Sequence, residues 1–220
     1  FKNYCLQNLF SENKLRFKNG KNNFYLSYEL KNLQEICEIV GRIGFRGYTV
    51  SDLVNKNEGV LTIGAKHINK DNKLTLKDPE YLSFKKYEES PEIKIHNGNI
   101  LFVKTASIGK LVLIENLKEP ATINPQLVIL KDIKTNSKYL YYYMNSYNFQ
   151  KSIHKISSNT VIPTITQKEL NKIKIIVPSI EEQENIANFL SSIDKKIDLT
   201  NKQITEMEKF KKGLLQEMFV

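Results

Sequence analysis

Gly41-Arg42-Ile43-Gly44-Phe45-Arg46-Gly47-Tyr48-Thr49 sets three glycines at intervals of three among two arginines and two aromatics. Glycine lets main-chain N–H groups come close to an anion. A guanidinium grips a phosphate, or the edge of a guanine, through two parallel hydrogen bonds. The spacing is neither the dinucleotide fingerprint nor a P-loop. The chemistry offered is contact with nucleic acid, through Arg42, Arg46, Tyr48 and Thr49; a tight structural loop is the plainer alternative. Lys104-Thr105-Ala106-Ser107-Ile108-Gly109-Lys110 is of the same kind. Its cations and hydroxyls, on Lys104, Thr105, Ser107 and Lys110, suit a DNA backbone and groove edges, against a solvated hairpin. Lys66-His67 and Ser157-Ser158-Asn159-Thr160 are weaker candidates, adding Lys66, His67, Asn159 and Thr160.

Other chemistries find little support. His67, His96 and His154 are scattered, and Cys5 and Cys37 stand alone, so neither a metal set nor a catalytic triad is expected. Asn124-Pro125-Gln126-Leu127 holds part of the Asn-Pro-Pro-aromatic motif of amino-methyltransferases. It lacks the second proline and the aromatic, and no glycine-rich cofactor loop precedes it, so it reads as a turn into a strand. No cofactor is expected. No apolar run approaches the roughly 18 residues of a membrane span, and two isolated cysteines fit the cytoplasm.

These loops need a scaffold. Short apolar, β-branched runs predict strands at Ile36–Val40, Val60–Ile63, Ile100–Val103, Leu111–Ile114, Leu127–Leu130 and Ile173–Val177. Lys138–Gln150 predicts a helix, and Glu169–Lys172 a short turn. The pattern is that of an irregular mixed α/β domain over 33–178, within an α+β chain. Residues 11–32, with Ser11-Glu12-Asn13 and the run Asn19 to Asn23, read as a linker. Charge is uneven: residues 1–180 carry 27 Lys/Arg against 16 Asp/Glu, or +11, while 181–220 carry 6 against 8, or −2, which together give +9. A basic body points to a polyanion, although a lysine-rich composition serves solubility equally well.

The 179–220 segment is a long helix. Ile186, Leu190, Ile193, Ile197, Ile204, Met207, Leu214 and Met218 fall in alternating steps of four and three, once Thr200 and Lys211 fill two seam positions. That period of 3.5 is a coiled-coil seam. Ser179 with Glu182 three residues on forms a capping box, acidic residues load the first turns, and lysines lie near the far end. About 60 Å of helix is expected at 1.5 Å per residue, pairing with another helix or, alternatively, lying on its own domain. The first ten residues repeat 210–219, with five identities at a constant offset of 209. The chain would thus open on the tail of a preceding helix, and one repeat unit would be a body followed by a helix.

With these stretches in view, the chain resembles the specificity subunits of type I restriction–modification systems over nearly its whole length. Ile175-Ile176-Val177-Pro178-Ser179-Ile180-Glu181-Glu182-Gln183 and on to Leu190 is similar to that family's strand, proline, glutamine and helix start. Phe210-Lys211-Lys212-Gly213-Leu214-Leu215-Gln216 resembles the end of its conserved helix. Gly41–Thr49, Lys104–Lys110 and Ile123–Gln126 resemble parts of its target recognition domain, where a glycine often stands in place of Ala106. The resemblance implies a non-catalytic, sequence-specific domain that binds one half of a bipartite double-stranded DNA site. Its helix would act as ruler and as dock for methyltransferase subunits and restriction subunits, or pair two copies as a homodimer. The chain would be the second half of such a subunit, or a half-length version. Two other classes stay open: a nucleic-acid-modifying enzyme with an unrecognised site, and a coiled-coil adaptor whose basic body is incidental.

Overall fold

The computed structural model describes residues 1–10, 17–18, 28–157 and 162–218. Helix α1 (Lys2–Leu9) opens the chain, followed by strand β1 (Tyr28–Asn32), the helical turn α2 (Leu33–Ile36) and β2 (Glu38–Gly41). Then come β3 (Leu53–Val54), β4 (Gly59–Ile63), β5 (Glu80–Ser83) and α3 (Phe84–Glu88). The middle holds β6 (Ile100–Val103), β7 (Leu111–Leu113), β8 (Ala121–Ile123) and β9 (Leu127–Lys131). Helices α4 (Ser137–Met144), α5 (Tyr147–Ser157) and α6 (Gln167–Asn171) precede β10 (Lys174–Pro178) and α7 (Ile180–Met218).

The sheet ordered β2-β9-β6-β7 is the central layer, antiparallel throughout. Successive side chains on a strand point to opposite faces. Ile100 and Phe102 on β6, with Val128 and Leu130 on β9, enter one core with the helices, while Leu101, Val103, Leu127 and Ile129 enter a second. Both faces are covered, so these strands read as unbroken apolar runs rather than alternating ones. The second core lies against the sheet β3-β5-β4-β8, in which only β4 and β8 run parallel. Each fully buried side chain contributes roughly 1.5–3 kcal/mol.

Three features depart from the sequence expectation, and the packing of the opening helix adds to it. Leu33–Ile36 is a helical turn, so the first predicted strand starts late, at Glu38. Tyr28–Asn32, read as linker, is a strand paired antiparallel with β10; of residues 11–27 only Phe17 and Lys18 are described. The opening residues are helical and pack on the body: α1 buries Cys5 and Leu6, and Phe10 meets Tyr139 and Tyr143 edge-on at 5.7 and 5.3 Å. The helix predicted over 138–150 breaks at Asn145-Ser146. The Asn145 amide donates to Tyr141 O at 2.8 Å, and Ser146 Oγ accepts from Phe149 N at 3.4 Å. Short polar side chains compete with the helix for its backbone groups in this way.

Helix α7 begins as expected, with Glu182 N donating to Ser179 Oγ at 3.3 Å. Buried Gln183 donates to Pro178 O at 2.8 Å and accepts from Asn136 N at 2.8 Å, which fastens the helix start to the N-cap of α4. The seam then divides. Ile186 and Leu190 are buried in the domain's own core and Ile193 packs against it, so these three do not await a partner helix. Tyr142 OH donates to Asp194 Oδ2 at 2.9 Å, Lys2 pairs with Asp194 at 2.5 Å, and Lys73 pairs with Asp198. From Lys195 to Lys212 every residue is exposed, including Ile197, Ile204 and Met207; Leu214 and Met218 beyond them are exposed too. About 36 Å of helix therefore projects from the body at 1.5 Å per residue.

Candidate nucleic-acid interface

Ladder register decides where the loops go. Strand β2 ends at Gly41, opposite Val128, and β6 ends at Val103, opposite Leu127, where β9 begins. Strand β7 starts at Leu111, opposite Phe102. In the second sheet β4 and β8 finish side by side at Ile63 and Ile123. The turn Asn124–Gln126 carries β8 across to β9, with Asn124 N donating to Ile63 O at 2.9 Å. The loops 41–49, 64–67, 104–110 and 124–126 thus leave the two sheets at one end. The first three were candidates for DNA contact from their residue types. The fourth reads as a turn by residue type, beside its resemblance to part of the family's target recognition domain, and pairing register is what sets it among the other three.

The 104–110 loop is held on both sides. Lys104 N donates to Gln126 O, Ile165 N to Lys104 O, and Ala106 N to Pro163 O, each at 2.9 Å. Lys104, Thr105 and Lys110 are half-buried and Ser107 is exposed. Lys110 Nζ reaches Ile68 O at 3.5 Å; Lys104 has no ion pair among the described residues. Ala106 sits at φ +64 and Gly109 at φ +90. A Cβ on Gly109 would also meet Gln150 Oε1 at 2.4 Å. Glycine alone fits position 109, whereas Ala106 holds a left-handed backbone that L-residues with a side chain adopt at a cost. Asn159 and Thr160 lie outside the described residues.

Arg42 does not face solvent. Its guanidinium donates to Thr122 Oγ1 at 3.3 Å, Ile123 O at 3.1 Å and Arg46 O at 3.4 Å, and stacks 5.0 Å from the Tyr48 ring centre. Burial pushes its pKa below the ordinary guanidinium range, opposed by Tyr48, Glu92 and Glu89. The Tyr48 hydroxyl is pushed up by burial, against the pull of Arg42. Arg42 is a clasp between β2, the 43–48 loop and β8. His67 is wholly buried: Nδ1 accepts from Gly64 N at 3.0 Å and Nε2 lies 3.3 Å from Asp78 O. Both residues are expected at the DNA surface from the sequence; the structure buries them, holding the terminal nitrogens of Arg42 and the ring nitrogens of His67 inside, while Arg42 Nε has no partner among the described residues. Arg46 stays half-exposed beside Glu92 at 3.4 Å, and Lys66 pairs with Glu80 at 2.7 Å while remaining solvent-accessible. Thr49 caps the turn that follows it, receiving a bond from Ser51 or giving one at 2.7 Å, and its N–H donates to Asp52 Oδ2 at 2.8 Å.

The profile of the type I restriction modification DNA specificity domain matches residues 25–209. The chain belongs to this family. A putative type I restriction enzyme specificity subunit, MjaX, of Methanocaldococcus jannaschii is 29% identical over 199 residues, which are 87% of this chain and 45% of that protein. Among solved structures, a chain from a study of type I R-M complex assembly and conformational transition superposes with a TM-score of 0.66 at 20% identity, covering 94% of this chain and 46% of its own length. The HsdS subunit from Thermoanaerobacter tengcongensis gives 0.62 at 19% identity, covering 92% and 44%. At those identities the superpositions establish the fold, an α+β specificity domain ending in a long helix. The chain spans about half the length of these relatives. Among the described residues no group of three His, Cys, Asp or Glu side chains could hold a metal, and no helix is long and apolar enough to cross a membrane.

Proposed function

We propose that this specificity domain recognises one half of a bipartite DNA site for a type I restriction–modification complex, working in the cytoplasm. The observation that carries the reading is the convergence, at one end of the two sheets, of loops bearing Lys66, Lys104, Ser107 and Lys110 together with Arg46. Cations spaced over such a surface fit a phosphate backbone, and a rigid turn among them fits base edges. Arg42 and His67 leave the proposed contact set; Arg42 acts by holding Arg46 and Tyr48. Methyl transfer and cleavage belong, on this reading, to methyltransferase and restriction subunits that dock on the assembly.

We place the recognition body over 28–178, starting five residues before the expected 33 because β1 pairs with β10, with the spacer helix beyond it. The exposed seam residues Ile197, Ile204, Met207, Leu214 and Met218 pair antiparallel with the helix of a second unit, whether in the same subunit or in a second copy. An unpartnered seam of that length would leave apolar surface in water.

The test is duplex binding by the full chain at several salt concentrations. Each phosphate neutralised adds about −0.9 to the slope of log K against log salt. Lys104→Ala and Lys110→Ala should each flatten the slope by about one phosphate and weaken all sequences alike. Unchanged affinity and slope in both variants would remove this end of the body from the interface.

A further inference from the structure

We infer that Gln126 reads an adenine at the centre of this surface, with Asn124 holding its amide in register. The inference rests on the DNA-recognition reading above and assigns a base-reading role that the basic loops do not supply.

Gln126 is exposed, yet its backbone is among the best fixed at this end of the body. Its N–H donates to Asn124 Oδ1 at 3.0 Å, and its carbonyl accepts from Lys104 N at 2.9 Å. Pro125 stiffens the turn before it, and Leu127 immediately after it is a fully buried core residue. The side chain is held too: Asn124 Nδ2 donates to Gln126 Oε1 at 3.2 Å. That bond occupies one of the two lone pairs on Oε1 and fixes which end of the amide is oxygen. The second lone pair and the two Nε2 hydrogens find no partner among the described residues. An acceptor and a donor thus stand side by side on a rigid stem. Adenine presents the complementary pair in the major groove, with N6–H₂ donating and N7 accepting. A long side chain already held in its binding geometry loses less freedom on binding than a mobile one. The neighbours match the division of labour expected at such a surface: Lys104, hydrogen-bonded to Gln126 through the backbone, offers a phosphate contact, and Lys66 stands in the turn that follows the adjoining strand β4.

The experiment selects binding sites from a randomised duplex library with the full chain, as wild type, Gln126→Ala, Gln126→Glu and Lys104→Ala. Each variant's melting temperature is checked against wild type, which an exposed side chain should leave unchanged. Gln126→Ala should lose preference at a single A·T pair, by between about 5-fold and 150-fold, the range for one bidentate contact. Gln126→Glu should turn that position towards cytosine, whose N4 amino group a carboxylate accepts from. Lys104→Ala should bind every site more weakly with the preferred bases unchanged. A wild-type motif that survives intact in both Gln126 variants overturns this assignment and leaves the DNA reading standing. Failure of the wild-type chain to retain any duplex overturns both.

Discussion

Alanine replacements along the α7 seam should fall into two groups, divided where the helix leaves the body. Leu190 is fully buried among side chains of α4 and its surroundings, and Ile186 is nearly so. Removing the outer carbons of a buried leucine costs both its transfer from water and the cavity left behind, about 2–5 kcal/mol. That is a large part of a typical stability of about 5–15 kcal/mol. For a chain of this size each kcal/mol lowers the midpoint by roughly 2–4 °C, so Leu190→Ala should melt about 4–20 °C below wild type. Ile204, by contrast, is 49% exposed. In the dilute, unpaired chain Ile204→Ala should change stability by no more than about 0.5 kcal/mol. The assay is thermal unfolding at low concentration, joined to sedimentation at high concentration. There Ile204→Asp should dissociate the paired form while the dilute midpoint stays put, because a charge in a buried seam is costly only once the seam is buried. Equal destabilisation by Leu190→Ala and Ile204→Ala in the dilute chain would refute the division. Pairing that survives Ile204→Asp would refute the open half of the seam as a contact surface.

Ala106→Gly should stabilise the fold by about 0.5–1 kcal/mol in urea unfolding, since relief of the left-handed backbone at φ +64 outweighs the extra freedom of glycine in the unfolded chain. Burial raises the Cys37 thiol from 9.0 to about 12, so the folded state favours the protonated form. Its contribution to stability is complete below pH 9 and is lost as pH rises towards 12; a stability–pH curve should fall across that window, and Cys37→Ala should flatten the fall. Inserting one heptad after Ile197 keeps the seam in phase and lengthens the projecting helix by about 10 Å. Site selection with randomised spacers should then find half-sites roughly 3 base pairs further apart, with the bases of each half unchanged.

The parts of the fold legible in the sequence are those where one local rule decides. Ile100–Val103 and Leu127–Leu130 are continuous apolar runs because both faces of the central sheet are covered, and the structure puts strands there within a residue. The Pro178–Ser179 start of α7 is equally local. Strand β1 escaped because its residues are mostly polar and exposed, β5 because only two of its four residues are apolar, and β8 because three residues carry no period. The break between α4 and α5 is written in Asn145-Ser146, but two short polar residues inside an apolar helical face weigh little in a periodicity count. The seam shows the limit of pattern most clearly. Leu190 and Ile204 occupy equivalent heptad positions, and nothing in the period distinguishes an apolar residue that packs on its own domain from one left for another helix. The body's surface ends beside Ile193 and Asp194, and that boundary is set by α1 and α4, far away in sequence.

The candidate site follows the same division between local and distant information. Residue type correctly singled out the stretches that leave the sheets at one end, since glycine, lysine and hydroxyl residues collect where strands stop. It could not say which side chains turn outward. Arg42 and Arg46 are four residues apart in a loop with a glycine at every third position, yet one guanidinium is enclosed by Thr122, Ile123 and Tyr48 while the other stays at the surface. The reason is β8, which lies eighty residues along and offers a hydroxyl and a carbonyl where Arg42 passes. His67 is likewise claimed by the backbone of Gly64 and Asp78. Gln126 runs the other way: by residue type its turn has a plain structural explanation, and register sets it among three basic loops. A buried arginine in a glycine-rich loop is then not a failed contact. It fixes the loop that presents Arg46, and a recognition surface assembled from the ends of separate strands needs such ties, because each loop must keep its place relative to loops it never meets in sequence.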